Sequence, residues 1–229
     1  MSYILNIESA TDICSVAISQ DDRVLALQER QGNHSAQMTL MIEHCLMEAQ
    51  LQMRDLAAVA VSNGPGSYTS LRVGASVAKG ICYALDIPMI AVDTLETLAA
   101  AAFHALKDPE AFYCPMIDAR RMEVYTAIFT ANTEGVVLSN ALESLVIEEN
   151  NFDKYFIENK RIVFCGNGAA KCRTIIRNEK AIFFENICSS MNMIPLSTTY
   201  YNKKQFVDIA YYTPLYLKAP NITQAKKIL

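Results

Sequence analysis

The chain has no tryptophan and only three histidines, and just 8 glycines and 7 prolines among 229 residues. The missing tryptophan excludes nothing. The other shortages are more useful. Lysine and arginine number 20 against 24 acids, for a net charge of −4 and a sequence pI near 5.4. A protein that grips nucleic-acid phosphates unaided carries a basic face, so this balance argues against autonomous nucleic-acid binding. No apolar run is long enough to span a membrane, and none is expected. The N-terminal stretch Met1 to Glu8 lacks a basic region and meets an acid early, unlike a signal peptide. Seven cysteines are scattered without a C-x-x-C pair. An odd number in mostly apolar context reads as reduced, buried thiols of a cytoplasmic protein. The histidines are too far apart for a metal: His34 and His44 lie ten residues apart without the H-E-x-x-H spacing, and His104 reads as a helix-surface or capping residue. No metal is expected.

What is present is 52% hydrophobic composition, enough for one large domain or two small ones. The organising stretch is Leu56 to Leu85. The apolar run Leu56 to Val61 suits a strand buried on both faces. Ser62-Asn63-Gly64-Pro65-Gly66-Ser67-Tyr68-Thr69-Ser70-Leu71-Arg72-Val73-Gly74 follows. Gly64, before proline, is biased to extended backbone, and Gly66 is free to take φ > 0. Ser67, Thr69 or Ser70 can cap a helix running from about Ser70 to Ala84. On it Val73, Val77, Ile81 and Leu85 share a face, while Gly74, Ala75, Ala78 and Gly80 leave it smooth enough for close helix approach. Pro88 to Val92 is the next strand, so the unit is a βαβ crossover in a partly parallel sheet. The glycines match neither G-x-x-x-x-G-K-[ST] nor G-x-G-x-x-G, and Ser67 is not in G-x-S-x-G. A tight turn and a capping serine are the readings the spacing supports.

Before this unit, strands at Tyr3 to Glu8, Cys14 to Ser19 and Val24 to Arg30 form a meander. A helix from Ala36 to Gln50 follows, whose apolar stripe of Met38, Met41, Ile42, Cys45 and Ala49 is widened by Leu40, Leu46 and Met47. Such methionine-rich helix faces serve as adaptable contact surfaces or as core. Asp93-Thr94 caps a helix from Leu95 to Leu106, and Lys107 to Glu110 breaks the pattern. The expected halves are 1–107 and 108–229. The second opens with a strand, Phe112 to Ile117, the turn Asp118-Ala119-Arg120-Arg121 and a returning strand, Met122 to Thr130. Strand character continues at Val136 to Leu138, Ala141 to Ile147, Arg161 to Cys165 and Ala181 to Phe184. Helices are expected after Gly166, to about Arg177, and somewhere between Ile187 and Ala210. Residues Asn221 to Leu229 are expected to fray.

The run Gly64 to Gly74 closely resembles the pattern GPGS(F/Y)TGLR(I/V)G of the TsaB (YeaZ) family, with Ser70 in place of the usual glycine. Asp118-Ala119-Arg120, Glu123-Val124-Tyr125 and the tail Pro214-Leu215-Tyr216-Leu217-Lys218 extend the likeness over most of the chain; the tail has lysine for the family's arginine. The resemblance implies an α/β fold of the actin, hexokinase and heat-shock-ATPase type, two ribonuclease-H-like halves with the second reduced. It implies a non-catalytic subunit that supports TsaD, together with the ATPase TsaE, in threonylcarbamoylation of tRNA. No catalytic residue, cofactor or metal would then belong to this chain. TsaD's metal-binding histidine pair is missing, since Met38 and Glu48 stand four residues after His34 and His44. The family's first-hairpin phosphate loop reads Ile7-Glu8-Ser9-Ala10-Thr11, with Glu8 for aspartate. The expected TsaD-binding face is Met38, Met41, Ile42, Cys45, Val73, Gly74, Val77, Ala78 and Ile81, with homodimerisation through the same face when TsaD is absent, and tRNA met only through the complex. The rival readings are an M22-type glycoprotease-like peptidase and a small-molecule kinase of the same fold.

Overall fold

The computed structural model describes residues 2–32, 34–133, 135–156 and 160–218; within 34–36 it describes the backbone alone. The expected fraying at Asn221 to Leu229 lies outside the described residues. The chain opens with β1 (Tyr3–Glu8), β2 (Ile13–Gln20) and β3 (Arg23–Gln31), then α1 (His34–Glu48), β4 (Leu56–Gly64), α2 (Tyr68–Leu85), β5 (Met89–Asp93) and α3 (Thr94–Leu106). The five strands lie in the order β3-β2-β1-β4-β5. The meander pairs antiparallel, with Leu5 opposite Ile18, whereas β1–β4 and β4–β5 are parallel.

Alternation divides each central strand between two cores. Leu5, Ile7, Val59 and Val61 face α1 and α2 in one cluster. Ile4, Ala58 and Ala60 face the opposite side, against Met193. Burial on both faces is why β4 reads as a continuous apolar run.

The second lobe repeats the plan with shorter parts: β6 (Phe112–Asp118), β7 (Glu123–Thr126), β8 (Phe129–Asn132), β9 (Gly135–Leu138), β10 (Glu143–Val146), α4 (Asp153–Phe156), β11 (Ile162–Cys165), α5 (Ala169–Cys172), β12 (Ala181–Phe184) and α6 (Ser190–Asn202). Its main path is β10-β7-β6-β11-β12, and β8 and β9 form a side ribbon. The order and directions match the first sheet, two antiparallel neighbours on one side of the first strand and two parallel ones on the other. This is the doubled ribonuclease-H-like plan, the second copy reduced.

Three expectations change. The single strand Met122 to Thr130 is two, because the pairing of β7 ends at Thr126 and β8 pairs with β6 only at Phe129, opposite Tyr113, and otherwise with β9. The helix after Gly166 is one turn, followed by irregular backbone. Conversely, α6 runs straight through Pro195. Proline inside a helix costs ~3 kcal/mol, offset here by seating Met193, Ile194 and Ser197 against the sheet.

The first sheet ends at Asp93 and the second begins at Phe112, on either side of the expected 107/108 division, but the helices do not sort that way. α3 precedes that point and covers the second sheet, with Leu95, Leu98 and Ala102 against Tyr113, Ile117 and Val163. α6 follows it and covers the first sheet. Its seat is a seam of hydroxyls: Ser190 N–H donates to Ser15 Oγ (2.9 Å), Ser197 Oγ to Asn6 Oδ1 (2.6 Å) and Thr198 Oγ1 to the Asp21 carbonyl (2.9 Å). Each half therefore lends the other a helix. Ser197→Ala would strand the buried Asn6 Oδ1, at about 1–3 kcal/mol. Thermal melting of the whole chain should fall by several degrees, and an unchanged melt would refute the role given to the seam.

Candidate functional site

The glycine loop is held between two other segments. Gly64 takes φ +99°, not the extended backbone expected of a pre-proline residue. A side chain there would meet the Leu215 carbonyl oxygen at 2.6 Å, and Leu215 N–H donates to Asn63 O (2.7 Å). Gly66, expected to supply the positive φ, is needed for close approach instead. A Cβ at Gly66 would press on the Ala10 carbonyl and reach Ala10 Cβ at 2.7 Å. Beside it, Ser67 N–H donates to Ala10 O (2.7 Å). Pro65 is buried between these contacts. Ser67 caps α2, accepting from Ser70 N–H, while Thr69 is exposed in the first turn. Ser70, which replaces the family's glycine, shares a hydrogen bond with the Ser67 hydroxyl (2.9 Å). Arg72 donates to Tyr68 Oη (3.0 Å), and the Tyr68 and Tyr216 rings meet at 4.6 Å.

The first hairpin turns its acid inward. Glu8 is fully buried; Oε1 accepts Ala10 N–H (2.7 Å) and Oε2 has no partner among the described residues. Burial pushes its carboxyl from 4.5 up to about 7, against the opposing pull of the Ala10 amide.

In the second lobe, the β6–β7 turn is fastened by α5. Lys171 Nζ bonds Asp118 and donates to the carbonyls of Arg121 (2.7 Å) and Glu123 (2.7 Å). Asp118 N–H donates to Asn167 Oδ1 (3.1 Å), and Asp118 Oδ1 accepts Arg120 N–H (2.8 Å). From the tail, Lys218 lies 2.5 Å from the Glu123 carboxylate and draws its pKa down. Sequence reading singled out neither Lys171 nor Asn167. A lysine and an asparagine near a one-turn helix carry no motif.

Between the lobes lies a cleft of about 1390 Å³, walled by the first hairpin, the glycine loop, the Asp118 to Arg121 turn, Asn167 and the tail from Leu215 to Lys218. A separate hollow of about 180 Å³ lies behind Gly166, between Arg173 and Phe183. Among the residues whose side chains are described, no histidine lines either space; His44 and His104 are exposed on α1 and α3.

The residues expected at a partner face divide. Met38, Met41, Ile42 and Cys45 are at most 2% exposed and belong to the first lobe's own core, as does Ala78. Their stripe faces the sheet because the apolar side of a surface helix covers its own lobe. Gly74 is also internal: a Cβ there would collide with Ser9 Oγ and come within 3.5 Å of Val61. Val73, Val77 and Ile81 are half-buried at the edge of the same core. Among the described residues, the large apolar side chains these helices leave in solvent are Leu40 and Met47 on α1 and Tyr83 on α2, and a Cβ at Gly80 would meet open space.

Two lobes of one topology closing on a shared cleft define an actin–hexokinase-type protein. The family model described as TsaD, tRNA N6-adenosine threonylcarbamoyltransferase, matches residues 28–215. The tRNA threonylcarbamoyladenosine biosynthesis protein TsaB of Bacillus subtilis (strain 168) is 28% identical, over 94% of this chain and 93% of its own length. Its namesake from Escherichia coli K12 is 26% identical, over 94% of each. YeaZ from Pseudomonas aeruginosa shares the fold, with a TM-score of 0.82 at 23% identity, over 95% of this chain and 100% of that one. The chain belongs to the TsaB (YeaZ) family, within the wider group that the TsaD model covers.

Two outcomes follow. Gly74→Leu should lower the melting temperature of the isolated protein, since overpacking costs ~1–3 kcal/mol; an unshifted melt would place Gly74 outside the core. Glu8 ionises near 4.5 unfolded and near 7 folded. The native state therefore holds the extra proton, and stability falls as pH rises from about 4.5 to 7. Glu8→Gln should remove that decline, gaining about 3 kcal/mol on the parent between about pH 5 and pH 8. Parallel pH–stability curves would disprove the buried, proton-holding carboxyl.

Proposed function

We propose that this chain is the non-catalytic subunit required for threonylcarbamoylation of tRNA, and that it acts by binding and supporting TsaD together with TsaE. Its TsaB relatives carry that pathway in their names. The observation that carries the non-catalytic part is Glu8. It stands where the family likeness puts a phosphate-loop acid, yet its carboxylate is buried and bonded to Ala10, out of reach of the cleft. This weakens the kinase alternative. A peptidase would need a base beside a nucleophile, and the hydrogen-bond partner of the Ser67 hydroxyl is the Ser70 hydroxyl (2.9 Å).

TsaD carries a matching sequence stretch: the Streptococcus equi enzyme is 38% identical over 109 residues. A partner built on the same plan can offer an equivalent helix pair. The face proposed for it is the outer side of α1 and α2, around Leu40, Met47, Gly80 and Tyr83, with Val73, Val77 and Ile81 at its edge. Without TsaD, a second copy can cover this face in a homodimer.

Threonylcarbamoyl transfer to tRNA should require this chain alongside TsaD and TsaE, while the chain alone turns over neither ATP nor peptide. Gly80→Leu and Tyr83→Asp should leave melting unchanged and weaken TsaD binding about tenfold or more by calorimetry. Transfer that proceeds unaltered without the chain would defeat the proposal, and full binding by both variants would defeat the assigned face.

A further inference from the structure

We propose that the cleft between the lobes takes a single-stranded segment of RNA, with its phosphates on Arg120 and Arg121 and a base against Tyr68 and Tyr216. The inference rests on the function proposed above and adds a site for the nucleic acid on this subunit.

The β6–β7 turn presents two adjacent arginines in the left-handed region, at φ 71° and 52°. Side chains seldom adopt this backbone, and here Lys171, Asn167 and Asp118 hold it from inside. The acids that could neutralise the arginines are their neighbours Asp118 and Glu123. Both are occupied, Asp118 by Lys171 and Glu123 by Lys218. Asp12, the remaining acid of the cleft wall, accepts Gln31 Nε2 (3.1 Å). The exposed guanidinium groups of Arg120 and Arg121 form no ion pair among the described residues. The lysines fix the acids so that the arginines stay uncommitted at the cleft's edge.

The rest of the wall suits bases. Tyr68 and Tyr216 line it with paired rings, and Arg72 lies over Tyr68 at 5.4 Å. Guanidinium groups beside aromatic faces are the elements with which proteins hold unpaired strands, since every base has a face to stack. At about 1390 Å³ the cleft exceeds the usual range of small-molecule pockets, as a strand of several nucleotides requires. The net charge of −4 limits long-range attraction, so the grip is local and is reinforced when TsaD also holds the tRNA.

The test is fluorescence anisotropy of labelled heptauridylate with the full chain, alone and as its TsaD complex. Saturable binding is expected, weakened about tenfold or more by Arg120→Ala with Arg121→Ala. The slope of log affinity against log salt should shrink by about 1.4, or ~0.7 for each lost phosphate contact. Tyr216→Ala should weaken binding by a similar factor, and Tyr216→Phe should restore it. No binding, binding indifferent to these substitutions, or binding equally tight to a mononucleotide would overturn the inference. Gel filtration with TsaD is read separately. An intact heterodimer that lacks RNA binding refutes the cleft site alone, whereas failure to pair with TsaD refutes the functional reading beneath it.

Discussion

The backbone contact between Gly66 and Ala10 governs how this molecule is put together. It brings the loop after β4 against the turn between β1 and β2 so closely that even a methyl group would not fit. The Ser67 amide then reaches the Ala10 carbonyl, which sets where α2 begins and which way it points. Gly64 repeats the constraint on the other side of Pro65, where the Leu215 carbonyl fills the space of a side chain. Hairpin, loop and C-terminal tail thus meet at a junction of main-chain atoms. One wall of the cleft is built from that junction, and its shape depends little on side-chain rotamers.

The same contact bears on Glu8. An acid two residues before Ala10 folds back on the Ala10 amide and is fully buried. Keeping a carboxylate charged in such surroundings is costly, so the group takes up a proton at higher pH than usual. A phosphate loop needs its acid at the cleft surface, whereas this hairpin spends it on internal structure. The difference between an ATPase-like lobe and a docking lobe can therefore lie in where one carboxylate points, with the strand order unchanged.

Much of the first lobe was legible. The meander, the βαβ unit and the Asp93-Thr94 start of α3 follow from alternation, glycine placement and spacing, because each is specified by neighbours in sequence. What was hidden depends on distant neighbours. Methionines at 38 and 41 read equally as surface or core until the sheet beneath them is placed. Gly64, rather than Gly66, takes the positive φ, and both glycines answer to backbone proximity, to Leu215 and Ala10, that leaves no trace in local sequence. α6 was poorly patterned because its seat is a seam of serine and threonine hydroxyls, which hydropathy does not register. Lys171 was invisible for a similar reason, its partners lying about fifty residues away.

The exchange of α3 and α6 ties these observations together. Two lobes joined by a single linker could rock freely, and a cleft between them would have no fixed width. Here each sheet is covered by a helix from the other half of the sequence, so opening the lobes means peeling buried apolar surface. Lys218 adds a tail contact from the first lobe to Glu123 in the second, but an exposed ion pair is worth little and tunes the lips rather than holding the lobes. A partner docked on the outer faces of α1 and α2 would therefore press on a body whose cleft is already set. Its influence would reach the cleft chiefly through α2, whose N-terminus is the glycine loop itself.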